Sequence, residues 1–241
     1  LLLFVEDFLP LWQASALTLA VALLLTAAIG ISGQVLGIEV NGSTRQLVSA
    51  VVALLPASTW LITLYRTAHR ANRPISPLLP TVVVLAGLVA AAIVRPFHFQ
   101  IIDLDLWLTR TTASNRLLGN ILLAGILHTF VLYALIRFTV WRTPTFDRRA
   151  DGILYTIAAA MGYAAVLNLL NTLDMGGVTL LNGNLRTLTH YCNHIAGGLV
   201  IGLFLGRNRF EDMPFYYLPA GFVLAAALNG LMLFIGTELN N

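Results

Sequence analysis

The 241 residues are 58% hydrophobic and only 10% charged, a balance that excludes a soluble globular domain of ordinary make-up. The net charge of +3 comes from fourteen arginines and no lysine, and positive loops that hold a membrane topology account for it without a nucleic-acid partner. A single cysteine, Cys192, excludes an internal disulfide and a cysteine-rich metal cluster.

Within a bilayer every backbone N–H and C=O must be bonded inside the protein, so only helices or a closed barrel can span it. Several apolar runs reach about 20 residues, the length a helix needs to cross a hydrocarbon core of ~30 Å, and they do not alternate as barrel strands do. The expected fold class is therefore all-α, a polytopic integral membrane bundle of about seven transmembrane helices.

The chain begins on Leu1 rather than Met, as expected where an N-terminal segment is missing or processed, and it shows no signal-peptide pattern. Residues 1–9 are expected on the surface, with a first span over 11–31 and a second over 46–65. Asn41, Gly42 and Ser43 mark the loop between them. A short third span, 79–94, is expected to close at Arg95-Pro96, followed by an interfacial segment over 97–107. There Asp103 and Asp105 are expected to meet water beside Trp107 at headgroup level, with cation uptake as the alternative reading.

The fourth span is expected over 117–140, and spans five to seven over 152–173, 188–206 and 215–236. The intervening loop carries Arg142, Asp147, Arg148, Arg149 and Asp151, the densest charge cluster in the chain. It reads as a solvated loop that sets topology, or as a contact for anionic headgroups or a partner. Loops after the second, fourth and sixth spans hold nine arginines against five on the other side, which predicts a cytoplasmic N-terminus.

Polar groups inside spans cost free energy unless paired or functional. Here they are His128, Asn168, Asn171, His190, Asn193, His194 and Asn229, all in the C-terminal half. His190 and His194, four apart on one helix face, have the spacing of a metal-binding or haem-binding pair. Hydrogen bonding in the bundle interior explains the same histidines, so interior bonding, zinc, and a haem or pigment all remain open. No acidic or basic residue lies deep in a span where an ion pathway needs one, which weighs against a transporter.

The run DGILYTIAAAMGYAAVLN, 151–168, resembles the PrsW family of intramembrane proteases, whose helix reads Asp-Gly-Ile-x-Tyr and then Gly-Phe-Ala-x-x-Glu-Asn. Asp151, Gly152, Ile153, Tyr155, Gly162, Tyr163, Ala164 and Asn168 carry the match. Arg186, His194, Gly202 and Gly206 are similar to that family's Arg and His-Ala helix. The run 228–231, Leu-Asn-Gly-Leu, is similar to its final His-Gly-Leu. The resemblance implies a four-helix membrane core over 117–241 behind an N-terminal membrane region over 1–116, in a bacterial inner membrane.

It also implies a site of Glu and His residues that activate water through a carboxylate base, a metal, or both. Leu167 stands where the family has Glu, its Glu-Glu-x-x-Lys motif falls near Leu127, His128 and Val131, and Asn229 replaces its last His. Asparagine bonds but does not exchange a proton near neutrality. With only Asn168 and His194 kept, the expectation is a catalytically inactive relative without a cofactor, serving as a subunit or scaffold that binds lipids and other membrane subunits. The alternative is an active metalloprotease remodelled around His128, His190 and His194. Asn168 and Asn229 read as helix-to-helix glue or as substrate contacts. Gly197, Gly198, Gly202 and Gly206 read as internal packing or a docking face.

Overall fold

A computed structural model describes residues 9–36, 42–70, 76–102, 111–177 and 180–239. Asn41, Asp103, Asp105 and Trp107, with residues 1–8, lie outside the described residues, and so do the expectations placed on them. Among the described residues the structure is helical, without strands. Five helices are long and apolar enough to cross a membrane, and two shorter apolar ones, Ala20–Val35 and Leu78–Val94, complete the expected set.

The helices are α1 (Leu9–Val35), α2 (Gly42–Arg70), α3 (Leu78–Val89), α4 (Ala113–Thr139), α5 (Arg149–Asp174), α6 (Leu180–Phe210) and α7 (Tyr217–Leu239). Winding does not stop at Arg95-Pro96, contrary to expectation: α3 runs on through π turns at Ala90–Val94 and Phe97–Ile102. Proline has no N–H to give and crowds the carbonyl four residues back, and a π turn moves the bonding by one residue. The Arg95 N–H accordingly reaches Ala90. The sixth helix also starts earlier than expected, at Leu180, because Asn184 and Thr187 are buried by packing that a hydropathy window does not register.

Ends are set by side chains. Thr112 accepts from the Asn115 N–H at the start of α4, and Asp151 accepts from the N–H groups of Asp147 and Arg148 at the start of α5. Beyond α5, Gly176 and Gly177 take φ of 65° and 89°, and their N–H groups close on Leu173 and Thr172. That left-handed turn suits glycine because it has no Cβ.

The described residues group into two compact units, Leu1–Pro80 with Ala164–Tyr191, and Thr81–Tyr163 with Cys192–Asn241. In the first, α1 packs along α2, the Tyr191 hydroxyl donates to the Ala53 carbonyl at 2.8 Å, and Asn168 reaches the Thr187 carbonyl at 3.5 Å. The second is built on small residues. A Cβ on Gly162 would sit 2.0 Å from the Val83 carbonyl oxygen, and one on Gly202 would sit 2.1 Å from Thr156 Oγ1. Gly206 meets Arg149 and Gly198 meets Thr156, so this glycine stripe packs internally against the first half of α5. That decides between the two readings open from sequence.

Candidate functional site

Four helices of the second unit bring polar side chains into its interior. The π segment Asn120–Gly125 in α4 changes the helical register just before His128, a device found often at functional sites. His128 (5% exposed), Tyr163 of α5 (0%) and His194 of α6 (2%) pack ring against ring. Centroids are 5.0 Å apart for His128 and His194, 4.8 Å for Tyr163 and His194, and 5.5 Å for His128 and Tyr163, all edge to face. Tyr163 is hydrogen-bonded through its hydroxyl to His128 Nδ1. His98, on the π-wound end of α3, stands 6.4 Å from His128.

Beside these rings, Asn229 of α7 donates Nδ2–H to Thr129 Oγ1 at 2.9 Å. Gly197 is the opening that admits it, since a Cβ there would lie 2.1 Å from Asn229 Nδ2. Asn193 stands one turn before Gly197 on the same face of α6. Both polar atoms of Asn193 and Oδ1 of Asn229 are enclosed without a protein partner among the described residues. Buried amides in that condition call for water or another bound polar group.

Of the residues singled out from sequence, His128, His194 and Asn229 therefore belong to one unit. Leu167, Asn168 and His190 belong to the other, where Leu167 and Asn168 are buried at 7% and 2% exposure. Arg148 pairs with Asp147 at 3.0 Å and Arg149 with Glu211 at 2.7 Å, whereas Arg142 is exposed. Sequence reasoning passed over Thr129 and the bonding of Tyr163. The one signal for the latter was a hydroxyl where the resemblance has phenylalanine.

A hydrolytic zinc site takes three ligands from His, Asp, Glu or Cys and keeps a position open for water. The donors here are the imidazoles of His128 and His194, that of His98 at 6.4 Å from His128, a phenol and carboxamides, with one His128 nitrogen bonded to the phenol. Among the described residues, no group of three or more His, Cys, Asp or Glu side chains could hold a metal ion. The donor set does not fit such a metal.

Residues 74–236 match the family described as PrsW family intramembrane metalloprotease. The chain is 31% identical over 109 residues to Protease PrsW of Geobacillus kaustophilus, covering 45% of this chain and 47% of that protein. It is 29% identical over 99 residues to Protease PrsW of Halalkalibacterium halodurans, 41% of this chain and 45% of that one. With Protease PrsW of Bacillus subtilis the figures are 27% over 124 residues, 51% and 56%. The chain spans about half the length of the curated relatives it matches. No solved structure matches.

Proposed function

The chain belongs to the PrsW family, and from that premise we propose that it is a catalytically silent member serving as a subunit or scaffold of a membrane protein complex. It is a multi-pass membrane protein. The bacterial relatives and the arginine bias support the bacterial inner membrane with the N-terminus inside.

The observation that carries this reading is the division between what is kept and what is replaced. Asp151 caps α5, Gly152, Gly202 and Gly206 let α5 and α6 approach, Gly162 admits Val83, and Tyr155 stacks on Phe146 at 6.0 Å. These motif residues hold the scaffold. The positions expected to carry chemistry hold Leu167, His128 and Asn229, and His128 is bonded to Tyr163. Removing one general base costs a factor of about 10²–10⁴, but losing base, partner carboxylates and ligand together removes the mechanism.

A membrane hydrolase working through His128 and His194 is the competing reading, and the ring contact between them favours it. One experiment separates the two. The protein is extracted from native membranes in mild detergent, sized by chromatography with mass spectrometry of co-migrating chains, and tested on a membrane-embedded peptide. The expected result is a defined assembly that leaves the peptide intact. Turnover that disappears in His194→Ala would overturn the proposal.

A further inference from the structure

Three helix ends meet at one polar edge of the second unit: the C-termini of α4 and α6 and the N-terminus of α5. They carry Arg137, Arg142, Arg148, Arg149, Arg207 and Arg209. Glu211 takes Arg149 at 2.7 Å and Arg207 at 2.9 Å, Asp147 takes Arg148, and Asp151 is held by backbone N–H groups. Arg137, Arg142 and Arg209 pair with no carboxylate among the described residues.

Two of these three lie against a single indole, and Arg209 also lies 5.2 Å from the Phe146 ring and 5.5 Å from the Phe210 ring. The guanidinium carbon of Arg137 lies 3.5 Å from the Trp141 centroid and that of Arg209 lies 5.4 Å from it. Trp141 is fixed by donating Nε1–H to the Leu205 carbonyl at 3.2 Å, and Arg209 by donating Nη2–H to the Thr143 carbonyl at 3.3 Å. Cation–π attraction and the carbonyl ends of α4 and α6 offset part of the repulsion between the two cations. The compensation is incomplete, because Arg137 Nη1 is enclosed without an acceptor.

An anion beside both guanidiniums would complete it, and their planar forks match phosphate oxygens. The surroundings distinguish a lipid from a soluble anion. Phe138, next to Arg137, is 81% exposed, and Phe215 just beyond α6 is 92% exposed. Acyl chains cover such side chains and inorganic phosphate does not, while tryptophan and arginine at span ends mark the headgroup level. We propose that Arg137 and Arg209, held on Trp141, form a phosphate site that the headgroup of an anionic phospholipid fills. The site stands apart from the His128 cluster and does not depend on whether the chain cleaves anything.

The test places the full chain in nanodiscs of dioleoylphosphatidylcholine, with and without dioleoylphosphatidylglycerol, and counts retained phosphatidylglycerol by native mass spectrometry. Two charges near a membrane surface correspond to about 30-fold in affinity, so Arg137→Gln with Arg209→Gln should weaken retention by about that factor. The exposed pair Arg142→Gln with Arg148→Gln should weaken it far less. Each single variant, Arg137→Gln or Arg209→Gln, should cost about fivefold and carries the test if the double variant fails to fold. Equal losses in the two double variants would overturn the site in favour of diffuse attraction. Inorganic phosphate that stabilises the protein in phosphatidylcholine as well as phosphatidylglycerol does would overturn the lipid assignment.

Discussion

The Tyr163 hydroxyl and His128 Nδ1 share a buried hydrogen bond between α5 and α4, and His194 closes against both rings. One partner stands where the resembled family has phenylalanine and the other where it has a carboxylate. Two departures that look independent in sequence are thus one interaction. A phenol bonded to an imidazole satisfies two polar groups that would otherwise be stranded between apolar helices.

Tyr163→Phe, which restores the family residue, should therefore destabilise the protein rather than improve it. The expected loss is about 1 kcal/mol or more, above the ~0.6 kcal/mol typical of helix-to-helix hydrogen bonds in membranes, because both groups are fully enclosed. Unfolding in mixed micelles measures it. Adding His128→Phe should cost less than the sum of the single changes, and strict additivity would show that the bond has no energetic weight.

Glycines on the α3, α5 and α6 contacts should separate from glycines in turns. Gly162→Ala or Gly202→Ala drives a methyl to 2.0 Å from the Val83 oxygen or 2.1 Å from Thr156 Oγ1, with an expected cost of about 1–3 kcal/mol. At Gly176 nothing lies within 4 Å, and alanine there pays only for φ of 65°, about 1 kcal/mol. The ranking by thermal unfolding is the test, and a Gly176 variant less stable than both others would contradict it.

Restoring a carboxylate at Leu167 should not restore chemistry. The site is 7% exposed, and this single change leaves His128 bonded to Tyr163 and Asn229 in place of the family's last histidine. Leu167→Glu should lower stability by about 2–3 kcal/mol, the cost of an ionisable group at a span centre, and leave a membrane-embedded peptide uncleaved. Cleavage by this single variant would show that the core needs only a base.

Acid should loosen the α5 and α6 ends through Glu211. Hydrogen bonds from Arg207, with the positive charges of Arg149 and Arg207, hold its carboxyl below the ordinary value of 4.5. A lowered folded pKa means this stabilisation is complete above 4.5 and is lost as pH falls through the folded value. Melting curves at a pH series should show it, with a smaller acid shift in Glu211→Gln. Identical shifts in both proteins would remove Glu211 from the acid response.

Much of the architecture was readable from residue order. Mean hydropathy placed spans near their observed positions because lipid rewards each apolar side chain locally, whatever its neighbours do. It failed where packing intervened. Pro96 reads as a stop, yet π turns on either side carry the helix past it. Residues 180–187 read as loop, yet burial of Asn184 and Thr187 winds them into α6. His190 and His194 share a helix face, but the contact partners of His194 are His128 and Tyr163.

By itself, the sequence determined that the chain is a helical membrane protein, that its spans retain the small and capping residues of one family, and that the expected carboxylates are replaced. Those properties depend on side-chain identity and local spacing alone. The tertiary structure decided that the glycine stripe packs inward, that Tyr163 bonds His128, and that Arg137 and Arg209 share Trp141 while other arginines take the carboxylates. These outcomes depend on how far each helix is rotated and how closely it approaches its neighbours. Shifts such as the π turn at Asn120–Gly125 set that rotation, and no local pattern of apolar residues encodes it.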